Sequence, residues 1–168
     1  MHYNFKRVNI MVVECSTSMF QLIKSVLSIL TVPIDNVDEA YSVEEAFSKF
    51  CAKKHDLIIT DWLENPDTGI HLTKMIRTDP KSPNPTVPII MTAGSGNEGK
   101  VLRSRDSGVS DYLVKPFSAK VLAHRLENVI EDKRQFVIGE TFVGPDRRRN
   151  DGQDYAGEER RVAEALSA

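Results

Sequence analysis

Short apolar runs that alternate with segments of helical periodicity decide what this chain can fold into. The runs are Ile10-Met11-Val12-Val13, with Val8 just before it, Leu57-Ile58-Ile59, residues 87–91 and Tyr112-Leu113-Val114. A weaker one spans residues 37–41 and carries Asp38 and Glu39, which suits a sheet edge. A run this short and this continuously apolar reads as a strand covered on both faces, as in a parallel sheet whose crossovers lay helices on either side. Between the runs, Ser16 can cap a helix bearing Met19, Leu22, Ile23, Val26, Leu27 and Leu30 on one face, and Pro33 stops it. Ser42-Val43-Glu44-Glu45 is a capping box opening a helix that runs to about Lys54. Ile70, Leu72, Met75 and Ile76 mark a third helix and Val101-Leu102 a short, weakly apolar fourth. Ser118 caps a fifth, with Val121, Leu122, Leu126, Val129 and Ile130 inside. Residues 79–86 hold Pro80, Pro83 and Pro85, which remove donors and restrict their predecessors, so this is a stiff surface loop.

Five strands alternating with five helices define an α/β protein, a three-layer α/β/α sandwich around a five-stranded parallel sheet. Right-handed crossovers make it doubly wound, and the flavodoxin-like strand order 2-1-3-4-5 is the habit of folds this size. The expected domain is 1–135. Residues 136–168 form an extension rich in Gly, Asp and Arg, expected to be largely disordered, with one extended piece at Phe136–Ile138. It repeats the pattern aromatic-x-Gly-x-acid-Arg-Arg, once from Phe142 to Arg148 and again from Tyr155 to Arg161. Each Arg-Arg pair suits a carboxylate or phosphate, so the alternative reading is a docking tail through Arg147, Arg148, Arg160 and Arg161.

A net charge of -2 and a pI near 6.1 give no bulk attraction to nucleic acid or anionic membrane, and no DNA- or RNA-binding signature follows Gln135. Cys15 and Cys51 are too sparse for a disulfide framework or a thiolate metal site. The N-terminal apolar stretch is interrupted by Glu14, Gln21 and Lys24, which fits neither a signal peptide nor a membrane span. The expected location is the cytoplasm.

In open α/β sheets the carboxyl ends of the strands line the functional crevice. There the strands deliver Glu14 and Cys15, Asp61, Thr92 and Lys115. Asp61 by itself is a nucleophile, a metal ligand or merely the cap of the next turn. Carboxylates joined by a hydroxyl and an ammonium can hold Mg²⁺ and a phosphoryl group, with an Asp accepting phosphorus in line. Other motifs have blander readings. Gly94-Ser95-Gly96-Asn97-Glu98-Gly99 spells GxGxxG but follows the fourth strand, and no acid lies at the next strand end, so it reads as a loop and not a dinucleotide site. His2, His55, His71 and His124 lie at no ligand spacing and are expected on the surface. Trp62 borders the site, covers the sheet edge, or does both.

The chain resembles the receiver (response regulator) domain of two-component signalling, in its single-domain chemotaxis form, over roughly residues 6–135. The matching residues are Val12-Val13-Glu14, Asp61, Gly69, Thr92-Ala93 and, most specifically, the run Asp111-Tyr112-Leu113-Val114-Lys115-Pro116-Phe117. The resemblance implies that Asp61 is the phospho-acceptor and that Glu14, Asp61 and the Leu63 backbone carbonyl hold Mg²⁺. It implies a cis Lys115-Pro116 bond and a switch in which Thr92 moves toward the phosphoryl group while Tyr112 rotates behind it. The surface of the fourth helix, fifth strand and fifth helix then meets a partner. Cys15 departs from the pattern: the family has a second acid there, and a soft thiol is a poor ligand for hard Mg²⁺. Leu63 and Gly94 likewise bring no polar group to orient a hydrolytic water.

The leading expectation is a stand-alone response regulator, phosphorylated on Asp61 by a histidine kinase or phosphotransfer protein and acting on a downstream protein as a monomer or weak dimer. It is no enzyme beyond accepting and losing that phosphoryl group, and its one cofactor is weakly bound Mg²⁺. The alternative is a degenerate receiver whose adaptor role ignores phosphorylation. A flavodoxin-like or nucleotide-dependent enzyme lacks a supporting constellation.

Overall fold

A computed structural model of the chain describes residues 5–62, 68–132, 134–139 and 141–146. The sheet strands are β1 (Ile10–Val13), β2 (Val37–Ala40), β3 (Leu57–Asp61), β4 (Ile89–Ala93) and β5 (Asp111–Val114). The helices are α1 (Thr17–Ile29), α2 (Val43–Ala52), α3 (Thr68–Thr78), α4 (Glu98–Ser107) and α5 (Ala119–Ile130). All five strands are parallel in the order β2-β1-β3-β4-β5, with the acid-bearing β2 at an edge.

Every residue of β1 and β4, and the first four of β3, are buried, as continuous apolar runs demand. Alternate residues feed two cores. Met11, Val13, Ile58, Ile89 and Met91 pack against α2 and α3, while Ile10, Val12, Leu57, Ile59 and Ile90 pack against α1 and α5. The helix starts lie where the sequence places them: Ser16, Ser42 and Ser118 each accept from a backbone N–H three residues on. The capping box differs in one detail. Glu45 accepts from the N–H of Tyr41 and not from that of Ser42, while its other oxygen holds Lys49. β4 begins at Ile89 because Pro88 has no N–H to give the ladder.

Two expectations change. His55 is 1% exposed and not a surface group: Asp38 takes its Nε2 at 2.9 Å, Lys53 shares the same carboxylate, and the ring stacks on Phe50. Burial works to raise the Asp38 pKa, yet hydrogen bonds from Lys53 and His55 hold it below its ordinary value. His71 and His124 are exposed as expected. The extension, in turn, opens with an antiparallel hairpin, β6 (Phe136–Ile138) and β7 (Val143–Pro145), in which Gly144 and Pro145 are buried, Gly144 against Gly108. The Arg-Arg pairs of the tail lie outside the described residues. Among those that are described, no helix is long and apolar enough to cross a membrane.

The Ile58 side chain is fully buried in β3, three residues before Asp61. Ile58→Ala should cost about 2–5 kcal/mol in urea unfolding, from lost transfer energy and a residual cavity. A loss below 1 kcal/mol would mean that the α2–α3 core is not packed around β3 as described.

Candidate functional site

Neighbouring parallel strands in register bring their carboxyl ends together. Asp61 pairs with Thr92 across β3 and β4, and the Lys115 N–H donates to Ala93 just beyond the last β4–β5 pair. Four chain segments far apart in sequence thus place Glu14, Asp61, Thr92 and Lys115 within hydrogen-bonding reach.

The Lys115 ammonium is the centre of the group. Its Nζ lies 2.6 Å from Glu14 Oε2 and 2.8 Å from Asp61 Oδ1, and its side chain is only 17% exposed. Thr92 Oγ1 donates to the same Asp61 Oδ1 over a longer 3.4 Å. Glu14 is itself 3% exposed, and its other oxygen accepts from the N–H of Ser16, which ties the carboxylate to the start of α1. Burial works to lower the Lys115 pKa, but hydrogen bonds to Asp61 and Glu14 and the charges of both outweigh it, so the net shift is upward. The Lys115-Pro116 peptide is cis.

The backbone next to Asp61 is equally fixed. The Trp62 N–H donates to Thr92, and the Trp62 carbonyl accepts from Gly69. Gly69 opens α3 so close to β3 that a Cβ there would collide with the Asp61 carbonyl oxygen. That contact, invisible in the sequence, gives a reason for glycine at this position.

Trp62 follows Asp61 and is 3% exposed, which is compatible with both readings of it. Tyr112 meets its ring edge-on at 6.4 Å between centroids and sends its hydroxyl to the Ser95 carbonyl at 2.6 Å. Burial, and then the Asp61 charge, raise the Tyr112 pKa, which keeps the phenol protonated and donating. Lys100 and Arg103 of α4 stand over the indole at 5.5 and 5.6 Å. Sequence reasoning missed this pair. Its only signal was two cations three apart on a helix with little apolar character.

The donors available to a metal fall short of the family's usual set. Glu14 and Asp61 converge on a cation already, which is the chemistry of a two-carboxylate Mg²⁺ site completed by water and phosphate oxygens. Cys15 takes no part: its exposed thiol is directed at the Tyr41 carbonyl, 3.4 Å away. Leu63 lies outside the described residues, and among these no group of three His, Cys, Asp or Glu side chains is arranged to hold a metal ion. The residues fit Mg²⁺ through two protein carboxylates.

Comparison with known proteins agrees with this geometry. Residues 10–127 match the response regulator receiver domain family. Chemotaxis protein CheY1 of Helicobacter pylori is 35% identical over 124 residues, covering 73% of this chain and 97% of that one. The structure of the chemotaxis response regulator CheY4 of Vibrio cholerae superposes with a TM-score of 0.64 at 25% identity, covering 73% of this chain and 98% of the other. The receiver domain of a sensor histidine kinase from Pseudomonas aeruginosa, at 24% identity and a TM-score of 0.63, covers 73% of this chain and 97% of its own; it was solved with a magnesium ion coordinated in its active site cleft. With the sheet order, the Lys115 contacts and the family match in agreement, this chain belongs to the response regulator receiver domain family.

Proposed function

We propose that this receiver accepts a phosphoryl group on Asp61 from a histidine kinase or phosphotransfer protein and thereby alters its affinity for a downstream protein. The observation that carries this reading is the shared hold of Lys115 and Thr92 on Asp61 Oδ1. Both donors fix the carboxylate and leave attack to Oδ2. Oδ2 bonds to phosphorus, the bond from phosphorus to the donor's imidazole nitrogen breaks, and the nitrogen departs with the electron pair. Lys115 then exchanges a carboxylate oxygen for a phosphoryl oxygen, and the Thr92 hydroxyl, poised at 3.4 Å, has room to follow. Bound Mg²⁺ would offset phosphoryl charge, with Glu14 and Asp61 as its protein ligands.

The response would pass through Tyr112 and Trp62 to α4. A shift of Thr92 opens space for the Tyr112 ring, whose hydroxyl would leave the Ser95 carbonyl. That is a change in population between two packings, biased by the phosphoryl charge. The surface so altered carries Val101, Leu102, Val114 and Val121, each 36–42% exposed, an apolar set suited to a protein partner. One observation favours the rival reading, an adaptor indifferent to phosphorylation: Cys15 supplies no ligand and points elsewhere.

Incubation with Mg²⁺ and a small phosphodonor should add one phosphoryl mass, lost in Asp61→Asn, and Cys15→Asp should lower the Mg²⁺ concentration required by about tenfold. A wild type that stays unmodified while Cys15→Asp responds would establish the adaptor. Gly94 brings no polar side chain to orient a hydrolytic water, so the phosphoryl group should persist for minutes; decay within seconds would contradict this.

Lys115 also bears on stability. Because its pKa is raised in the fold, its contribution is fully present below the ordinary 10.5 and is lost as pH rises through the folded value. Lys115→Met should cost about 2 kcal/mol at pH 7, between the worth of an exposed and a buried ion pair. The gap in urea midpoints to wild type should narrow as pH rises past 10.5. A gap that is constant to pH 11 would refute the pairing.

A further inference from the structure

The helix next to the candidate site is held in an unusual way. α4 buries no apolar side chain; its buried residues are Ser104 and Ser107, whose hydroxyls bond to carbonyls of their own helix. It packs against α3 and β5 without an apolar anchor. Toward the amino end Lys100, and at its middle Arg103, stand over Trp62, beside Asp61. At the carboxyl end the chain turns through Gly108 at φ 96° and enters β5.

That second end is where the C-terminal hairpin sits. A Cβ on Gly108 would collide with the Val143 carbonyl of β7, and a Cβ on Gly144 would lie 2.8 Å from the Gly108 Cα, so two glycines meet backbone to backbone. Arg77, at the end of α3, completes the seat. It is 3% exposed, donates to the carbonyls of Gly108 and Pro85 at 3.0 and 2.7 Å, and lies 5.0 Å from the ring centre of Phe136 on β6. Arg134 donates to the Ser110 carbonyl, and Ser110 in turn accepts from the N–H of Ile89. The hairpin thus touches the turn that joins α4 to β5, and Arg134 just before it reaches Ser110 in the same turn.

We propose that the β6–β7 hairpin is a cis-acting clamp on the carboxyl end of α4, seated on Arg77, Gly108 and Ser110 and coupled through α4 to Trp62 and Asp61. The coupling half of this rests on the function proposed above. A short helix that buries no apolar side chain is free to pass a displacement at one end to the other. The seat is also poised to release: Arg77 Nη2 is buried with no hydrogen-bond partner, and burial pushes the guanidinium pKa down to about 9, so lifting the hairpin returns a costly group to water. This offsets the apolar gain of docking Phe136 and Pro145 and keeps the clamp displaceable.

The test uses the full chain and the double variant Phe136→Ala/Gly144→Val, compared by hydrogen–deuterium exchange. Amides of 136–146, the 108–110 turn and α4 should exchange at least about fivefold faster in the variant, with α1 and α5 unchanged. Fast exchange of the hairpin with α4 unaltered would overturn the clamp. So would a hairpin as protected as in wild type, or equal acceleration of every helix. A second arm titrates both proteins with beryllofluoride and Mg²⁺. The variant's apparent affinity should differ by about fivefold, the low end of ordinary allosteric coupling, and equal affinities would overturn the coupling. If neither protein responds to beryllofluoride, the phosphorylation reading and the coupling built on it fail, while the exchange arm still decides the clamp.

Discussion

The structure depends most on one ammonium group. Lys115 reaches back across 101 residues of chain to Glu14 and at the same time to Asp61, so a single cation joins the carboxyl ends of β1, β3 and β5. Two carboxylates this close repel each other and resist burial; the shared cation makes their approach tolerable. It also leaves the group with net negative charge, which calls for a further cation when a phosphoryl group arrives. Orientation, burial and appetite for metal follow from that one contact.

Cys15 changes the balance of that site without changing its plan. The strand that carries Glu14 turns the next side chain toward Tyr41, so a thiol there neither ligates nor obstructs. Lys115 and Thr92 hold Asp61 without it. Under the function proposed above, competence for phosphorylation is a matter of metal affinity, and the contacts of Trp62 with α4 do not involve Cys15.

How much of this was legible in the sequence follows from the range of the interactions. Continuous apolar runs report burial on both faces, and Ser16, Ser42 and Ser118 act within one helical turn, so strands and helix starts could be read directly. Asp61, Thr92 and Lys115 were legible because a parallel sheet gathers strand ends at one rim. His55 was misread because its burial depends on Asp38, which arrives from the neighbouring edge strand. Arg77 and the hairpin were hidden for the same reason. The glycine at 144 and the aromatic at 136 look like features of a solvated tail until Gly108 is seen to offer a flat seat. The polar character of α4 was visible, but its consequence, a helix without an apolar anchor between Trp62 and β7, needed the positions of both.

Trp62 is the only tryptophan, and it lies between Asp61 and the cations of α4. Its fluorescence on addition of beryllofluoride and Mg²⁺ tests the central claim directly. The account predicts a saturable change in intensity as Thr92, Tyr112 and α4 rearrange around the indole, absent when Asp61 is replaced by Asn. Unchanged emission at saturating beryllofluoride, with Asp61 demonstrably occupied, would contradict it.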